Sequence, residues 1–424
     1  MIIDPDSVHH FVYDRDSDGD GKRDPAYLAG VGGPEGFLYE DAARKAFIIG
    51  KLLRSTSLNT PVNGLYFHGT RAFGGDGGAF ETPFINNADP YSGFDPAKLA
   101  SWRTDLARLD NAGVVLWFNL FDDHAVPYGC KYNADYEKYA TDMVKYFKDL
   151  KHVVWVTQEE YRWTNTSQKT CTLADNDARQ TGLAAAIRAA DPIHPIATHH
   201  MLGLAMVFPN DPNIRVFGQQ SNAKSPEAMH DNSGKQGWGN WVYVMAEDHP
   251  WHMDLIDAEL ASGTGREPMR RSHWASALSG GYVMMYNSFE CGNKAQLCSG
   301  NPAPDSDPTD AMLDDLRRLK LFMESTQFNR MEPLFDTALL NARTDGTKYI
   351  LANQSAGLYI LYGDINTTRL GVRNAPVGTY SLKWFDPASG VSVIQTGTVA
   401  AGGLASFDKP AGFGPEAALY MKKQ

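Results

Sequence analysis

Positive charge is in deficit in this 424-residue chain: 39 Lys and Arg stand against 50 Asp and Glu, a formal net charge of −11. Without a basic surface there is neither phosphate neutralisation nor counterion release, so nucleic acid and anionic membranes are not expected as partners. Long apolar runs are missing too. Nothing approaches the roughly 18 consecutive apolar residues that span a bilayer, and Met1-Ile2-Ile3-Asp4-Pro5 has no basic segment followed by an apolar one, so the chain is expected to be soluble and no signal peptide is read in it. Neither a G-x-G-x-x-G fingerprint after an early strand nor an H-E-x-x-H pair is present, which argues against a dinucleotide fold and a catalytic zinc. No organic cofactor is expected.

Cysteine is scarce, with four residues at Cys130, Cys171, Cys291 and Cys298 and no C-x-x-C pair. Zinc-ribbon and thioredoxin-type readings are weak on that ground. An even count in polar loops fits two disulfides, Cys291 with Cys298 across a short loop and Cys130 with Cys171, and hence an oxidising compartment; buried free thiols in a cytosolic protein are the alternative. The expectation is a secreted or periplasmic protein. Aromatics make up 11%, which suits a large core or surfaces that stack on flat ligand faces.

What is present is an alternation of short apolar runs and helical periodicities. Ala26 to Val31, Asn63 to His68, Val114 to Phe118, Val153 to Val156, Ile196 to Thr198, Ile214 to Phe217, Val242 to Met245 and Tyr282 to Tyr286 read as eight strands. Uninterrupted runs such as Val114-Val115-Leu116-Trp117-Phe118 are what a parallel sheet buried on both faces requires. Between them lie helical patterns at Tyr39 to Arg54, Pro96 to Ala112, after an Asn133 cap, and Asp175 to Ala190; Asp307-Pro308 offers a cap and first-turn proline for a last helix. Eight strands alternating with helices over roughly 300 residues predict a (β/α)₈ TIM barrel, α/β in class, over residues 1–333 with an N-terminal hairpin. After about residue 334 only short strands and turns remain, and residues 334–424 are expected to form a small all-β sandwich.

In such a barrel the reactive groups gather at the C-terminal ends of strands. Strand four runs into Gln158-Glu159-Glu160-Tyr161 and strand seven into Glu247-Asp248-His249. Two strand-end carboxylates facing each other across the mouth are the minimum equipment for glycoside hydrolysis, one to protonate the leaving oxygen and one to attack carbon or activate water. An acid placed directly after an apolar strand loses solvent, which is costly unless it is hydrogen-bonded or functional, and which also raises a catalytic acid toward neutral pH. An ordinary salt-bridged loop carboxylate is the competing reading for either one alone.

Trp155-Val156-Thr157-Gln158-Glu159-Glu160, Ala197-Thr198-His199-His200, Ala246-Glu247-Asp248-His249 and the run from Arg270 to Gly281 resemble the apiosidase-like glycoside hydrolases of clan A type, and Trp384 to Gly390 with Phe407-Asp408-Lys409-Pro410 resemble the small collagen-binding-type β-domain often attached to them. The resemblance implies that the strand-four acid is the general acid/base and Glu247 the nucleophile. The family carries a small residue or Asn before the acid, where this chain has Glu159 before Glu160. Counting five residues on from Trp155 favours Glu160; reading Gln158 as the stand-in for Asn favours Glu159. Glu160 is taken as the acid. Position along the strands nominates His68, Asn119, Asp122, His199, His200, Gln219 and His249 to hydrogen-bond sugar hydroxyls, and Trp163, Trp251 and Tyr286 to stack on sugar faces, each with a plain reading as a packed or capped residue. The substrate is then a polysaccharide or oligosaccharide. A carbohydrate-binding protein on an inactive barrel is the alternative function.

One further motif stands apart. Asp16-Ser17-Asp18-Gly19-Asp20-Gly21-Lys22-Arg23-Asp24 places carboxylates at positions 1, 3, 5 and 9 with Gly at 6, an arrangement that wraps oxygens round calcium. It resembles the calcium loops of dockerins and thrombospondin type 3 repeats. Position 12 is Tyr27 rather than a bidentate acid, so either Asp14 completes the shell or binding is weak. A solvated Asp/Gly hairpin turn is the alternative. Calcium here is expected to be structural, at the end of the barrel away from the chemistry.

Overall fold

The structure is a computed structural model that describes residues 1–424 except 18, 33–35, 73–79, 123–124, 162–170, 202, 222, 233, 235–238, 249–250, 287–288, 290–306 and 336–342. Eight parallel strands close into a barrel in sequence order: β1 Ala29–Val31, β2 Gly64–His68, β3 Val115–Asn119, β4 Val153–Val156, β5 Ile196–His200, β6 Val216–Ser221, β7 Val242–Asp248 and β8 Tyr282–Met285. Among the described residues the helices are α1 Ala42–Leu53, α2 Pro96–Asn111, α3 Ala134–Phe147, α4 Leu173–Ala190, α5 Pro226–Asn232, α6 Trp251–Ser262, α7 Arg266–Leu278 and α8 Asp310–Glu324. This is the TIM barrel that the alternation predicts.

Local chemistry sets the helix ends. Asn133 caps α3 by accepting from the N–H groups of Asp135 and Tyr136, and Tyr136, Tyr139, Met143 and Phe147 then bury one face. The expected start of the last helix shifts: Thr309, not Asp307, caps α8. Asp307 is taken instead by the buried Arg44 of α1, at 2.7 Å, because a guanidinium sealed inside the helix layer needs a carboxylate partner. The segments α5, α6 and α7 carry no apolar stripe distinct enough to be read as helices in advance.

The barrel interior is filled by side chains rather than space. Trp117 of β3 crosses to β6, where a Cβ on Gly218 would stand 2.9 Å from its ring. Gly218 therefore leaves the room that the indole occupies. At the end where the strands begin, a three-stranded antiparallel sheet of Ile2–Ile3, Phe11–Val12 and Pro25–Ala26 covers the opening. Phe11 packs on Tyr282 at 4.9 Å, and its N–H donates to the Tyr282 hydroxyl at 2.8 Å.

Beyond the barrel, a six-stranded antiparallel sheet containing β9 Tyr349–Asn353, β10 Leu358–Gly363, β11 Gly378–Phe385, β12 Ser392–Val399 and β13 Ala417–Lys423 faces a three-stranded one made by Arg343–Asp345, Arg369–Val372 and Ala405–Asp408. Leu361, Leu382, Trp384 and Leu419 from the first sheet share a core with Leu370, Val372 and Ala405 from the second, which makes the expected sandwich. Its outer face is fixed to the barrel. Arg270 of α7 sits between Asp315 of α8 and Glu416 next to β13, Tyr362 of β10 donates to Glu416 at 2.9 Å, and Trp274 of α7 stacks on Tyr362 at 5.3 Å. Cys130 and Cys171 form a disulfide that ties the loop after β3 to the start of α4. The proposed Cys291–Cys298 bridge lies outside the described residues. No helix among the described residues is long and apolar enough to cross a membrane.

Candidate active site

The mouth of the barrel is built by two departures from strand regularity. In a regular strand successive side chains alternate between the interior and the helix layer. Along β6 and β7, Gln219 pairs with Met245 but Gln220 pairs with Glu247, so Ala246 is an extra residue. The outward pair is visible in the hydrogen bond from Tyr243 to Gln219, 3.0 Å. The inward pair is Gln220 and Glu247, 2.8 Å apart from Nε2 to Oε1. Without the bulge at Ala246, Glu247 would share the outward face of Met245; with it, the carboxylate turns into the mouth.

Strand β4 does the same at its end. Val156 pairs with Ala197, yet Tyr161 pairs with His200, so the β4 side carries two more residues than the β5 side over this stretch. Glu160 takes up the excess at φ +39°, in the left-handed region that costs a residue with a Cβ. Consecutive glutamates, which ordinary pleating would send to opposite faces, thus both reach the mouth. Glu159 turns toward β2, accepting from the Tyr66 hydroxyl and standing 2.8 Å from His68 Nε2. Glu160 turns toward β6 and accepts from Gln220 Nε2. Gln220 therefore holds Glu160 and Glu247 through one nitrogen.

His199 completes the constellation. Its Nδ1 lies 3.1 Å from the Tyr66 oxygen and its Nε2 lies 3.7 Å from Glu247 Oε2. Burial, with His200 and His68 nearby, lowers its pKa to about 3, so the ring is neutral at ordinary pH. One ligand atom each from Glu159, His199 and Glu247 lies within 4.8 Å of the others. His68, Glu159, His199 and Glu247 are all buried, Glu247 at 1% exposure.

Of the residues nominated from the sequence, Glu159, Glu160, Glu247, His68 and His199 are brought together. Asn119 pairs in register with His68 and lies on the inward face with Trp117; its Nδ2 donates to the Phe67 carbonyl at 3.3 Å. Asp122 is buried in the turn after β3, where its carbonyl accepts from Gln158. Tyr286 directly follows β8 at the mouth side, its N–H directed to His252 Nδ1 at 3.3 Å, and Trp251 is half-buried at the start of α6. Two others face away. His200 lies in the outer layer against Phe217, its Nε2 accepting from the Val207 N–H, because it is one residue out of phase with His199. Gln219 points outward to Tyr243 for the same reason, and its neighbour Gln220 takes the place expected of it. Trp163 and His249 lie outside the described residues. Gln158 is no stand-in for an active-site amide: its side-chain oxygen is taken by Arg179 and Gln180 of α4.

Sequence reasoning missed Tyr66 and Gln220. Tyr66 was accessible from the two-residue period, since it shares a face with His68. Gln220 was hidden because the reading ended β6 at Phe217.

The aspartate loop is held by its own backbone. Asp16 accepts from the N–H groups of Gly19 and Gly21, Asp20 from that of Lys22, and Asp24 from that of Ser17. Asp14 pairs with Arg23 and Asp24 with Arg15. Asp18 lies outside the described residues. In this arrangement the described carboxylates of Asp16, Asp20 and Asp24 accept from backbone N–H groups of the loop itself, as in an Asx-type turn.

No family model matches the chain, and no curated protein matches it in sequence. Solved structures do match in shape. A glycoside-hydrolase-like protein of Bacteroides vulgatus superposes with a TM-score of 0.67 at 14% identity, covering 100% of this chain and 82% of its own. A second, described as a glycoside hydrolase, gives 0.63 at 12% identity over 99% and 97% of the two chains. A glycoside hydrolase family 5 protein from the same Bacteroides gives 0.62 at 13%, over 94% and 89%. The chain has the fold of these hydrolases. At such identities the likeness concerns the architecture, both barrel and β-domain, and the chemistry must be argued from the side chains.

Proposed function

We propose that the protein is a retaining glycoside hydrolase of apiosidase-like, clan A type acting on a polysaccharide or its side chains. The carrying observation is that Gln220 joins Glu160 and Glu247 from the bulged ends of β4 and β7. A retaining mechanism needs its two carboxyl groups about 5 to 5.5 Å apart, whereas inversion needs roughly 6.5 to 9.5 Å to admit a water between them. That both carboxylates accept from one amide nitrogen supports the shorter range.

Glu247, backed by His199, is the nucleophile that attacks the anomeric carbon. Glu160, half-buried and at the outer edge of the group, protonates the leaving oxygen and then takes a proton from the water that releases the sugar. Burial of the surroundings keeps water from competing and strengthens the field on the developing oxocarbenium charge. The shape likeness to glycoside hydrolases supports this reading, and the disulfide supports an extracytoplasmic setting. Product analysis across a panel of plant, algal and microbial glycans tests it: release of reducing sugar is expected, and retention of a glycan without release would favour the binding-protein alternative.

Structural calcium at the Asp14 to Asp24 loop belongs to the same proposal. Binding requires Asp16 and Asp20 to exchange their backbone partners for the ion, so the expected gain is a small rise in melting temperature on adding Ca²⁺. An unchanged melt rejects the site.

A further inference from the structure

We propose that the cleft beneath the barrel, between the aspartate loop, the end of α8 and β13, is a second carbohydrate-binding site that takes an acidic saccharide, a sugar chain bearing carboxylate or sulfate groups. It lies at the end of the barrel opposite Glu160 and Glu247 and stands whether or not those two residues cleave a glycan.

The cleft has a volume of about 430 Å³, within the span of small-ligand sites. Three stretches far apart in sequence build it: the loop around Lys22, the turn from Ser325 to Arg330, and β13. Tyr420 and Lys422 come from one face of that strand, being two residues apart. The chain as a whole is acidic, at −11, but this lining is not. Arg15, Lys22, Arg23, Arg330 and Lys422 stand there against Asp20, Asp24 and Glu324.

The sign of the cleft depends on which charges are already committed. Arg15 holds Asp24 at 3.0 Å and lies over the Tyr13 ring at 4.7 Å, and Arg23 holds Asp14 at 2.8 Å. Glu324 is met by Lys320 at 2.7 Å and by the Tyr13 hydroxyl at 2.9 Å, and Asp20 accepts from the Lys22 N–H at 2.9 Å. Lys22, Arg330 and Lys422 remain, all exposed, and none of the three forms an ion pair with a described residue. Burial pushes the Tyr420 phenol up to about 12 and the Arg330 charge draws it partly back, so the guanidinium stands near the ring that lines the cleft from β13.

A ligand for this cleft must bring negative charge, because cations gathered in a concave site focus their field on what enters it. Ser325, Thr326, Gln327 and Asn329 add hydroxyls and amides, which pair with sugar hydroxyls as donors and acceptors. An inorganic anion would use the cations and leave the amides; a neutral glycan would do the reverse. An oxyanion carried on a polyhydroxylated ring uses both. Nucleic acid would need a broad basic surface, which the acid excess denies.

Binding is measured by calorimetry on the full chain carrying Glu247→Gln, in EDTA so that no calcium bridges a ligand to the aspartate loop. The probes are polygalacturonate with its fully methyl-esterified form, and a sulfated galactan with its desulfated form; the first pair tests carboxylate and the second sulfate. At least one charged polymer is expected to bind roughly tenfold or more tightly than its uncharged form, and Lys22→Ala, Arg330→Ala and Lys422→Ala together are expected to erase that preference, the combined loss of three exposed charge contacts. A control carrying Arg108→Ala, Lys145→Ala and Arg373→Ala removes the same charge from exposed positions elsewhere and is expected to keep it. Neither charged polymer outbinding its uncharged form, a preference that survives the cleft substitutions, or its equal loss in the control overturns the inference. The hydrolase reading fails separately: cleft-dependent binding with no cleavage of any glycan by the unaltered protein rejects the enzyme and leaves this site, while cleavage without cleft-dependent binding does the reverse.

Discussion

Where the barrel strands begin, Phe11, Tyr27, Tyr282 and Phe328 pack ring against ring under the N-terminal sheet. Where the strands end, the equally buried positions are His68, Asn119, Glu159, His199, Gln220 and Glu247. The first end gains from hydrophobic burial and aromatic contact. The second forgoes that gain and carries the desolvation of several ionisable groups, a cost a fold sustains only when the groups are tied to one another or used. The backbone shows the same contrast: among the described residues regular pairing holds through the lower strands, and the bulges at Ala246 and at Glu159-Glu160 come at the upper end.

The sharpest way to break this contrast is at the proposed nucleophile. Glu247→Gln is expected to lower turnover by about three orders of magnitude or more, while the melting temperature stays level or rises because a buried charge is removed. Unchanged turnover on a glycan the protein cleaves would remove Glu247 from its role. At the opposite end, Phe11→Ala is expected to cost about 3 to 5 kcal/mol in denaturant unfolding, with kcat unaffected under conditions where the protein stays folded. A loss of activity without a loss of stability would mean that the two ends are not separate in function.

Between the barrel and the sandwich, Glu416→Ala leaves Arg270 buried with one carboxylate fewer and is expected to destabilise by about 3 kcal/mol, read from the urea midpoint. A near-neutral result would show the Arg270 charge to be satisfied by Asp315 alone. Opening the Cys130–Cys171 bridge by a double Ser substitution is expected to cost about 2 to 4 kcal/mol.

Acid sharpens the comparison from both ends at once. His10 below and His199 above both have pKa values lowered to about 3, chiefly by burial. Unfolding lets each bind a proton near pH 6.5, so the unfolded chain gains protons and stability falls as pH drops from about 6.5 toward 3, by up to about 1.4 kcal/mol per pH unit for each ring. Urea midpoints at pH 7, 5.5 and 4.5 check this. Replacing His10 by Phe is expected to remove one increment of the acid sensitivity, and a slope unchanged by that substitution would contradict the buried neutral state.

The fold was legible because a parallel barrel writes its strands as unbroken apolar runs, as at Val114 to Phe118. The sandwich was legible from short strands and turn residues alone. Pleating made His68 and His199 readable as strand-end residues but could not separate His199 from His200, since one register step decides which faces inward. Bulges are where reading stopped. No propensity announces that Ala246 is extra, or that Glu159 and Glu160 both turn inward; those follow from pairing with neighbouring strands far away in sequence. The helices α5 to α7 were missed for a related reason: α7 is buried between barrel and sandwich, so Met269, Ser272, Trp274, Ala275 and Leu278 are all enclosed and the chain shows no single apolar stripe.

The central proposal is that Glu160 and Glu247, both bound to Gln220, work as the pair of a double displacement. Proton NMR of the first anomer released from whichever glycan the protein cleaves tests it most directly. Net retention of anomeric configuration, before mutarotation, is the predicted result. An inverted first product would require a water between the two carboxylates and would contradict the account.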